Sequence, residues 1–262
     1  MTGPIEPAAK TPLRPDRSTL RAHTPARVGL RTAGTSLATT EILDLNLALA
    51  EARNAIHASL STASLLPQLN TRAWTPILLR SAVNDRHEYL RRPDLGRQLS
   101  EESRAHLDRN PAAQTTNRLA IVIADGLSAI AAERHAIPLL DALHPLIDNL
   151  NDAPLVIVEQ ARVAIGDAIG ERLHAELVLL LIGERPGLSS PDSLGAYITW
   201  APRIGRTDAE RNCVSNIRPE GLAYAEAAAR ITRYLQGARQ SRLTGIGLKE
   251  DTTLLPANSQ AG

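Results

Sequence analysis

The sequence predicts an α/β fold, a Rossmann-like parallel sheet with flanking helices, and three apolar runs carry that prediction. The runs are LAIVIA, LVIV and LVLLLI, at residues 119–124, 155–158 and 177–182. Continuous apolar runs of this length are typical of strands that are buried on both faces. Residues 129–150 and 166–175 separate the runs and are long enough for crossover helices. The order βαβαβ therefore indicates parallel strands with right-handed connections.

Two further strands and a closing helix are expected after these runs. The strands are expected at residues 196–200 and 213–217. The helix is indicated by apolar residues that share one helical face, namely Tyr224, Ala228, Ile231 and Leu235. Together these elements extend the predicted sheet and cover one of its faces.

A long helix is expected ahead of the sheet, with Thr40 as its N-cap. Its apolar residues recur at helical spacing: Ile42, Leu45, Leu49, Ala52 and Ile56. Leu43 and Leu47 add a second apolar face, so a second chain is a candidate to cover one side. A shorter helix is expected from about Leu95 to Leu107, after the proline that ends the preceding segment.

The composition along the chain predicts four regions. Residues 1–24 lack periodicity and are expected to be a disordered tail, followed by a helical N-terminal region at residues 25–110. Residues 111–251 form the predicted Rossmann-like domain, and residues 252–262 are expected to be a flexible C-terminus.

Charge and composition exclude several classes of protein. The 262 residues include 29 Lys and Arg against 28 Asp and Glu, a net charge of +1 that draws in neither nucleic acid nor an anionic bilayer. Phe is absent and only 2 Trp and 4 Tyr occur, which leaves little aromatic surface for stacking bases. Cys213 is the only cysteine, and no apolar run approaches the length of a membrane span. A cytoplasmic protein is therefore expected.

Ligands of an open parallel sheet bind beyond the carboxyl ends of its strands, near the point where strand order reverses. The residues that follow the apolar runs are Asp125-Gly126, residues 159–163 and residues 183–187. In the last loop the glycines permit sharp turns, while Glu184 and Arg185 supply opposite charges. An equally weighted alternative is that these two charges are solvated or pair with each other.

Common catalytic motifs are absent from the sequence. It contains no G-x-x-x-x-G-K-[ST] phosphate loop, no G-x-S-x-G elbow and no H-E-x-x-H zinc motif. Most of the seven histidines are expected at the surface. Cys213 is expected to be a small core residue, and the charged stretch at residues 85–92 to be a solvated face or interface rim.

Five long strings of the chain are distinctive: RHEYLRRPDLGR from Arg86, IVIADGLSA from Ile121, ARVAIGDAIGE from Ala161, LLIGERPGLSSPDSLGAY from Leu180 and ERNCVSNIRPEG from Glu210. They resemble the small, or light, subunit of ethanolamine ammonia-lyase. The resemblance spans residues 27–249, and Ala161 stands where relatives commonly have glycine. Strings of this length are more specific than a likeness of fold alone.

The resemblance implies a subunit of an adenosylcobalamin-dependent lyase that converts ethanolamine to acetaldehyde and ammonia. In that family a large subunit, a TIM barrel, binds ethanolamine, and the small subunit helps to enclose the cofactor at the interface. A hetero-oligomer of about six copies of each chain is implied. Because the cofactor performs the radical chemistry, neither a catalytic residue nor a metal ligand is expected on this chain. A bacterial microcompartment within the cytoplasm is an open alternative for its location.

By the same resemblance the residues of this chain that contact cobalamin are Val163 in ARVAIGD, Glu184 in GERPG and Cys213 in RNCVSN. Some cobalamin enzymes replace the cofactor's own dimethylbenzimidazole with a histidine from a D-x-H-x-x-G motif. No such string occurs here, so the cofactor is expected to be base-on, with its own base still coordinated to cobalt. The nearest match is His144, which Asp141 precedes by three residues instead of two. Two other functions are alternatives to a cofactor-holding subunit. One is a free-standing protein that binds another nucleotide-type ligand, and the other is an adaptor that docks to a protein shell.

Overall fold

The computed structural model of the protein describes Thr24 and residues 26–249. Apart from Thr24, the predicted tails at residues 1–24 and 252–262 therefore lie outside the described residues. The chain divides into two compact units, residues 1–50 and residues 51–262. The division at residues 110 and 111 stays a prediction. None of the described helices is long and apolar enough to cross a bilayer.

The first unit contains a short hairpin and the start of a long helix. Strands β1 (Thr32–Ala33) and β2 (Ser36–Leu37) pair antiparallel, and Gly34 between them has a positive φ of 65°, which suits a tight turn. Helix α1 (Thr39–His57) follows, so the long helix expected from Thr40 is present.

The second unit is built on a six-stranded sheet in the order β3-β5-β4-β6-β7-β8. The strands are β3 (Ile77–Arg80), β4 (Ala120–Ala124), β5 (Leu155–Glu159), β6 (Leu177–Gly183), β7 (Leu194–Trp200) and β8 (Asn212–Ile217). The first four strands in that order are parallel, whereas β7 runs antiparallel to β6 and β8 antiparallel to β7. The sheet is thus mixed and mostly parallel: the parallel strands predicted from the three apolar runs are confirmed, whereas the two strands after them are antiparallel. The connection at residues 184–193 is too short for a crossover helix, so the chain turns back.

Six helices complete the second unit. They are α2 (Thr62–Asn70), α3 (Arg86–Arg91), α4 (Glu101–Asp108), α5 (Ala129–Leu143), α6 (Ile165–Arg172) and α7 (Tyr224–Ser241). The helix expected from Leu95 to Leu107 is instead a single 3₁₀ turn followed by α4. The break lies at Ser100, whose side chain caps α4 by accepting a hydrogen bond from the Ser103 N–H at 3.1 Å.

Strand order reverses at β4. Helix α5 leads from β4 to β5 on one face of the sheet, and α6 leads from β5 to β6 on the other face. The loops after β4 and β6 touch at this switch point, since a Cβ atom on Gly126 would lie 2.2 Å from the Gly183 carbonyl oxygen. Gly126 also has a positive φ of 57°, so this close approach requires glycine.

The sheet separates two apolar cores. The first core lies against α2, α5 and α7, and the second lies against α4 and α6. Strands β7 and β8, which we call the wing, contribute their buried apolar residues to the first core: Leu194, Ala196, Ile198, Val214 and Ile217. On the second face, Tyr197 is the one described wing residue that packs partly against a core. Both faces of β6 are covered, whereas the second face of β8 exposes Cys213 and Ser215. On the same face of β7, Gly195 and Thr199 are buried.

Candidate functional site

The outer face of the wing is exposed along β8 and largely buried along β7. Burial alternates along β8: Asn212, Val214 and Ile217 point inward, while Cys213 and Ser215 are exposed. Tyr197 of β7 is half-buried opposite Cys213, and Gly195 beside it has no side chain. We call the surface formed by Gly195, Tyr197, Cys213 and Ser215 the wing face. It is a shallow area of sheet that lacks a covering helix.

A buried ion pair closes one end of the wing face. The Arg211 guanidinium donates two hydrogen bonds to the Asp167 carboxylate, at 2.6 and 2.7 Å, and a third to the Thr199 hydroxyl at 3.1 Å. The side chains of Arg211 and Asp167 are each 2% exposed. Burial raises the pKa of Asp167, and Arg211 opposes that rise. This pair joins α6 to the edge of the wing.

Glu184 lies at the other end, directly after β6. Its backbone N–H donates to the Ser193 carbonyl at 2.9 Å. Its Oε2 accepts hydrogen bonds from the Ser193 hydroxyl and, at 3.1 Å, from the Asn216 N–H. The described partners of the half-buried carboxylate are thus Ser193 and Asn216 and not Arg185, the alternative that the sequence left open.

Cys213 is exposed, so the expectation that it packs in the core is wrong. Its Sγ lies 3.2 Å from the Ser215 hydroxyl. Partial desolvation raises the pKa of the thiol, and the nearby charge of Glu184 adds to that rise. Desolvation likewise raises the pKa of Tyr197, with further contributions from Cys213 and Glu184. Cys213 thus stands opposite Tyr197, and Glu184 lies over Gly195, two residues before Tyr197 on the same strand.

Val163 lies apart from this pair, on the loop that leads from β5 into α6. It is half-buried and packs against the second core, as Tyr197 does. The hydrogen bonds and ion pairs of the described residues do not join Val163 to Glu184 or Cys213. Val163 and Tyr197 share the apolar core between α6 and the sheet, against which both side chains pack.

The loop that carries Val163 is held along its backbone. Asp125 accepts hydrogen bonds from the Gln160 and Ala161 N–H groups at 2.8 and 2.9 Å. Three more bonds pin the loop from the other side: Ser81 hydroxyl to the Gln160 carbonyl, Tyr89 hydroxyl to the Ala161 carbonyl, and Arg162 N–H to the Gly96 carbonyl. Gln160 has a positive φ of 57°, a conformation that these bonds stabilise. Val163 is therefore presented by a preorganised loop.

Sequence reasoning missed the buried pair of Arg86 and Asp125 beneath this loop. Arg86 was expected on a solvated face, but its Nη1 lies 3.3 Å from Asp125 Oδ2 and donates to the Gly126 carbonyl at 2.9 Å. Burial raises the pKa of Asp125 to about 6, against the donors that favour the carboxylate. The ring of Tyr89 lies between Arg86 and Arg162, with guanidinium carbons 4.4 and 4.1 Å from its centroid. No local pattern in the sequence signals this pair, because Arg86 and Asp125 are far apart in the chain.

Among the histidines that the structure describes, His135 is the exception to the expectation that most lie at the surface. It is buried, with Nδ1 2.7 Å from the Tyr224 hydroxyl and Nε2 3.4 Å from Asp192 Oδ2. Asp192 also pairs with Arg134 and Arg218, at 2.9 and 3.1 Å. These contacts anchor the loop of residues 184–193, which begins with Glu184.

Comparison with known proteins identifies the family. The family model described as "Ethanolamine ammonia-lyase light chain (EutC)" matches residues 15–249. The ethanolamine ammonia-lyase small subunit of Xanthomonas campestris pv. campestris (strain B100) is 50% identical over 244 residues, covering 92% of this chain and 90% of that protein. Those of Pseudomonas putida (strain GB-1) and Pseudomonas aeruginosa (strain LESB58) are each 48% identical, with the same two coverages. The chain belongs to the ethanolamine ammonia-lyase light-chain family and is a small subunit of that enzyme.

Proposed function

We propose that this small subunit holds adenosylcobalamin on the wing face, at the interface with the large subunit. The observation that carries the proposal is that Glu184, which lies over Gly195 of β7, and the exposed Cys213 of β8 are on the same face of the sheet. The corrin is a broad ring edged with amide side chains, so it requires an open surface and hydrogen-bond acceptors. The wing face offers both: an exposed strip of β8 and a half-buried carboxylate at its end.

Three residues of this chain would contact the cofactor. The Glu184 carboxylate accepts hydrogen bonds from corrin amides, and Val163 packs against apolar parts of the ring. Cys213 is small and exposed, which lets the ring approach the sheet. The bound cofactor supplies the radical chemistry that converts ethanolamine to acetaldehyde and ammonia. The small subunit binds and orients the cofactor and excludes water, without providing an acid or a base.

The partner in this proposal is the large subunit, which binds ethanolamine, in a hetero-oligomer of about six copies of each chain. The similar proteins named above are small subunits, a name that implies a larger partner. Helix α1 exposes Leu43 and Leu47, each 61% accessible, and Ile42 and Leu49 beside them. Exposed apolar surface of this kind marks an interaction site. The expected location is the cytoplasm, with a microcompartment as the alternative.

Co-expression with the large subunit tests the proposal. The chain alone is expected to release no acetaldehyde from ethanolamine, whereas the complex is expected to be active and to bind adenosylcobalamin. Leu47→Glu is expected to abolish co-purification because it places a charge on the exposed face of α1. Ile246→Glu, at a residue that is 83% exposed elsewhere, is the matched control. Comparable activity from the purified single chain would contradict the partnership.

The cofactor is proposed to bind with its own dimethylbenzimidazole still coordinated to cobalt. His144, the nearest sequence match to an axial ligand, follows α5 at the amino edge of the parallel strands, the edge opposite Glu184. Its neighbour Asp141 pairs with Arg72 at 2.6 Å. The EPR spectrum of the cob(II)alamin form of the complex is expected to change with ¹⁵N in the dimethylbenzimidazole. A response to ¹⁵N-histidine alone would show that a protein ligand has replaced the base.

A further inference from the structure

Glu184 reaches across β7 instead of extending away from the sheet. A Cβ atom on Gly195 would lie 3.0 Å from Glu184 Oε1 and 3.1 Å from its Cγ, which is closer than ordinary contact. The side chain of Glu184 therefore lies directly over the backbone of Gly195. Since any larger residue would push the carboxylate aside, the glycine keeps the path across β7 open.

A bulge in β8 meets the carboxylate on the far side. Leu194 pairs with Ile217 and Ala196 pairs with Val214, so Ser215 and Asn216 both stand opposite Gly195. Asn216 has a positive φ of 59°, a conformation that asparagine tolerates better than most residues. The bulge takes the Asn216 N–H out of the strand ladder. That N–H donates to Glu184 Oε2 at 3.1 Å.

Ser193 holds the same oxygen from the near side. Its hydroxyl donates to Glu184 Oε2, and Ser193 itself is buried. Oε2 thus receives two donors, whereas Oε1 has no hydrogen-bond donor among the residues that the structure describes. The two oxygens of one carboxylate therefore differ: one is fixed by the protein and the other is left over the wing face.

We infer that Ser193, Gly195 and the bulge at Asn216 are positioning groups that fix Glu184 so that Oε1 accepts a hydrogen bond from a cobalamin amide. This inference rests on the proposed function. A carboxylate that is already held loses little side-chain freedom when the cofactor binds. The three groups would thus strengthen binding without touching the cofactor.

Titration of the assembled two-subunit complex with adenosylcobalamin tests the inference through double-mutant cycles. Ser193→Ala removes one donor to Oε2, and Gly195→Ala displaces the carboxylate. Each is expected to raise the Kd by about three- to tenfold. In the Glu184→Ala background neither change is expected to add more than about twofold, because the group that they position is gone.

Ser190→Ala is the matched control, because it makes the same change as Ser193→Ala in the same loop. The Ser190 hydroxyl has no hydrogen bond among the described residues. Its Kd is expected to equal that of the wild-type complex, and size-exclusion chromatography checks that every variant assembles. If Glu184→Ala leaves the Kd unchanged, the proposed role of Glu184 fails and this inference with it. If Glu184→Ala weakens binding but Ser193→Ala and Gly195→Ala do not, or if their effects persist without Glu184, the inference alone is overturned.

Discussion

The parallel part of the sheet and the wing differ in how they are covered. Every residue of β6 is buried, because α5 lies on one face and α6 on the other. In β8 burial alternates, and Cys213 and Ser215 face outward. The same sheet therefore has a closed half that provides stability and an open half that offers a surface.

The position of α6 explains this difference. A Cβ atom on Gly170 would lie 2.4 Å from the side chain of Val178, and one on Gly166 would lie 3.4 Å from the same residue. These glycines let α6 lie close against β6, and the helix reaches the end of the wing, where Asp167 pairs with Arg211. The comparison teaches that the exposed surface of β8 lies beyond the part of the sheet that α6 covers.

Breaking the ion pair at the closed end of the wing is expected to have the largest effect. Arg211→Met leaves the buried Asp167 carboxylate without its partner, and such a loss typically lowers the free energy of unfolding by about 3–5 kcal/mol. Urea unfolding measures this change in the free energy of unfolding. Arg72→Met, which breaks the exposed pair with Asp141, is the control and is expected to change stability far less. Equal losses in the two variants would mean that the end of the wing is not closed by this pair.

Glu184→Ala is expected to affect binding more than folding. Loss of hydrogen bonds to a charged acceptor typically costs about 1.5–3 kcal/mol, so the Kd for adenosylcobalamin should rise about tenfold or more. Glu159→Ala is the matched control, since Glu159 is a carboxylate at the carboxyl end of β5 in the closed half. Titration of the assembled complex is the measurement. If Glu184→Ala and Glu159→Ala bind adenosylcobalamin with the same Kd, Glu184 is an ordinary solvated charge.

The sequence predicts the closed half better than the open half. The three apolar runs are confirmed as β4, β5 and β6, because a strand that is buried on both faces must be apolar throughout. The direction of β7 was missed, since an apolar run reports burial and not orientation. Strand β3 was missed as well: its short sequence ILLR alternates buried and exposed residues, as an edge strand does.

The site was predictable to the extent that it follows from strand ends. Glu184 was found because it directly follows β6. Cys213 was assigned to the core from the usual behaviour of a lone cysteine. The bulge at Ser215 and Asn216, which puts Val214 and Ile217 on one face, hides the alternation from the sequence. The pairing of Arg86 with Asp125 joins residues far apart in sequence, so no local pattern could reveal that the arginine is buried.

Cys213 offers the last and smallest test of the open wing. Because the thiol is exposed, Cys213→Ala is expected to change the free energy of unfolding by less than about 0.5 kcal/mol, whereas the loss of a well-packed core side chain would cost more. The pKa of the thiol is raised, so at neutral pH the reactive thiolate is scarce. Its reaction with a thiol reagent in the isolated chain should therefore accelerate from about pH 7 to about pH 10. Addition of the large subunit and adenosylcobalamin is expected to slow that reaction, because the wing face is then covered. A thiol that reacts equally fast in the cofactor-loaded complex would place the cofactor elsewhere.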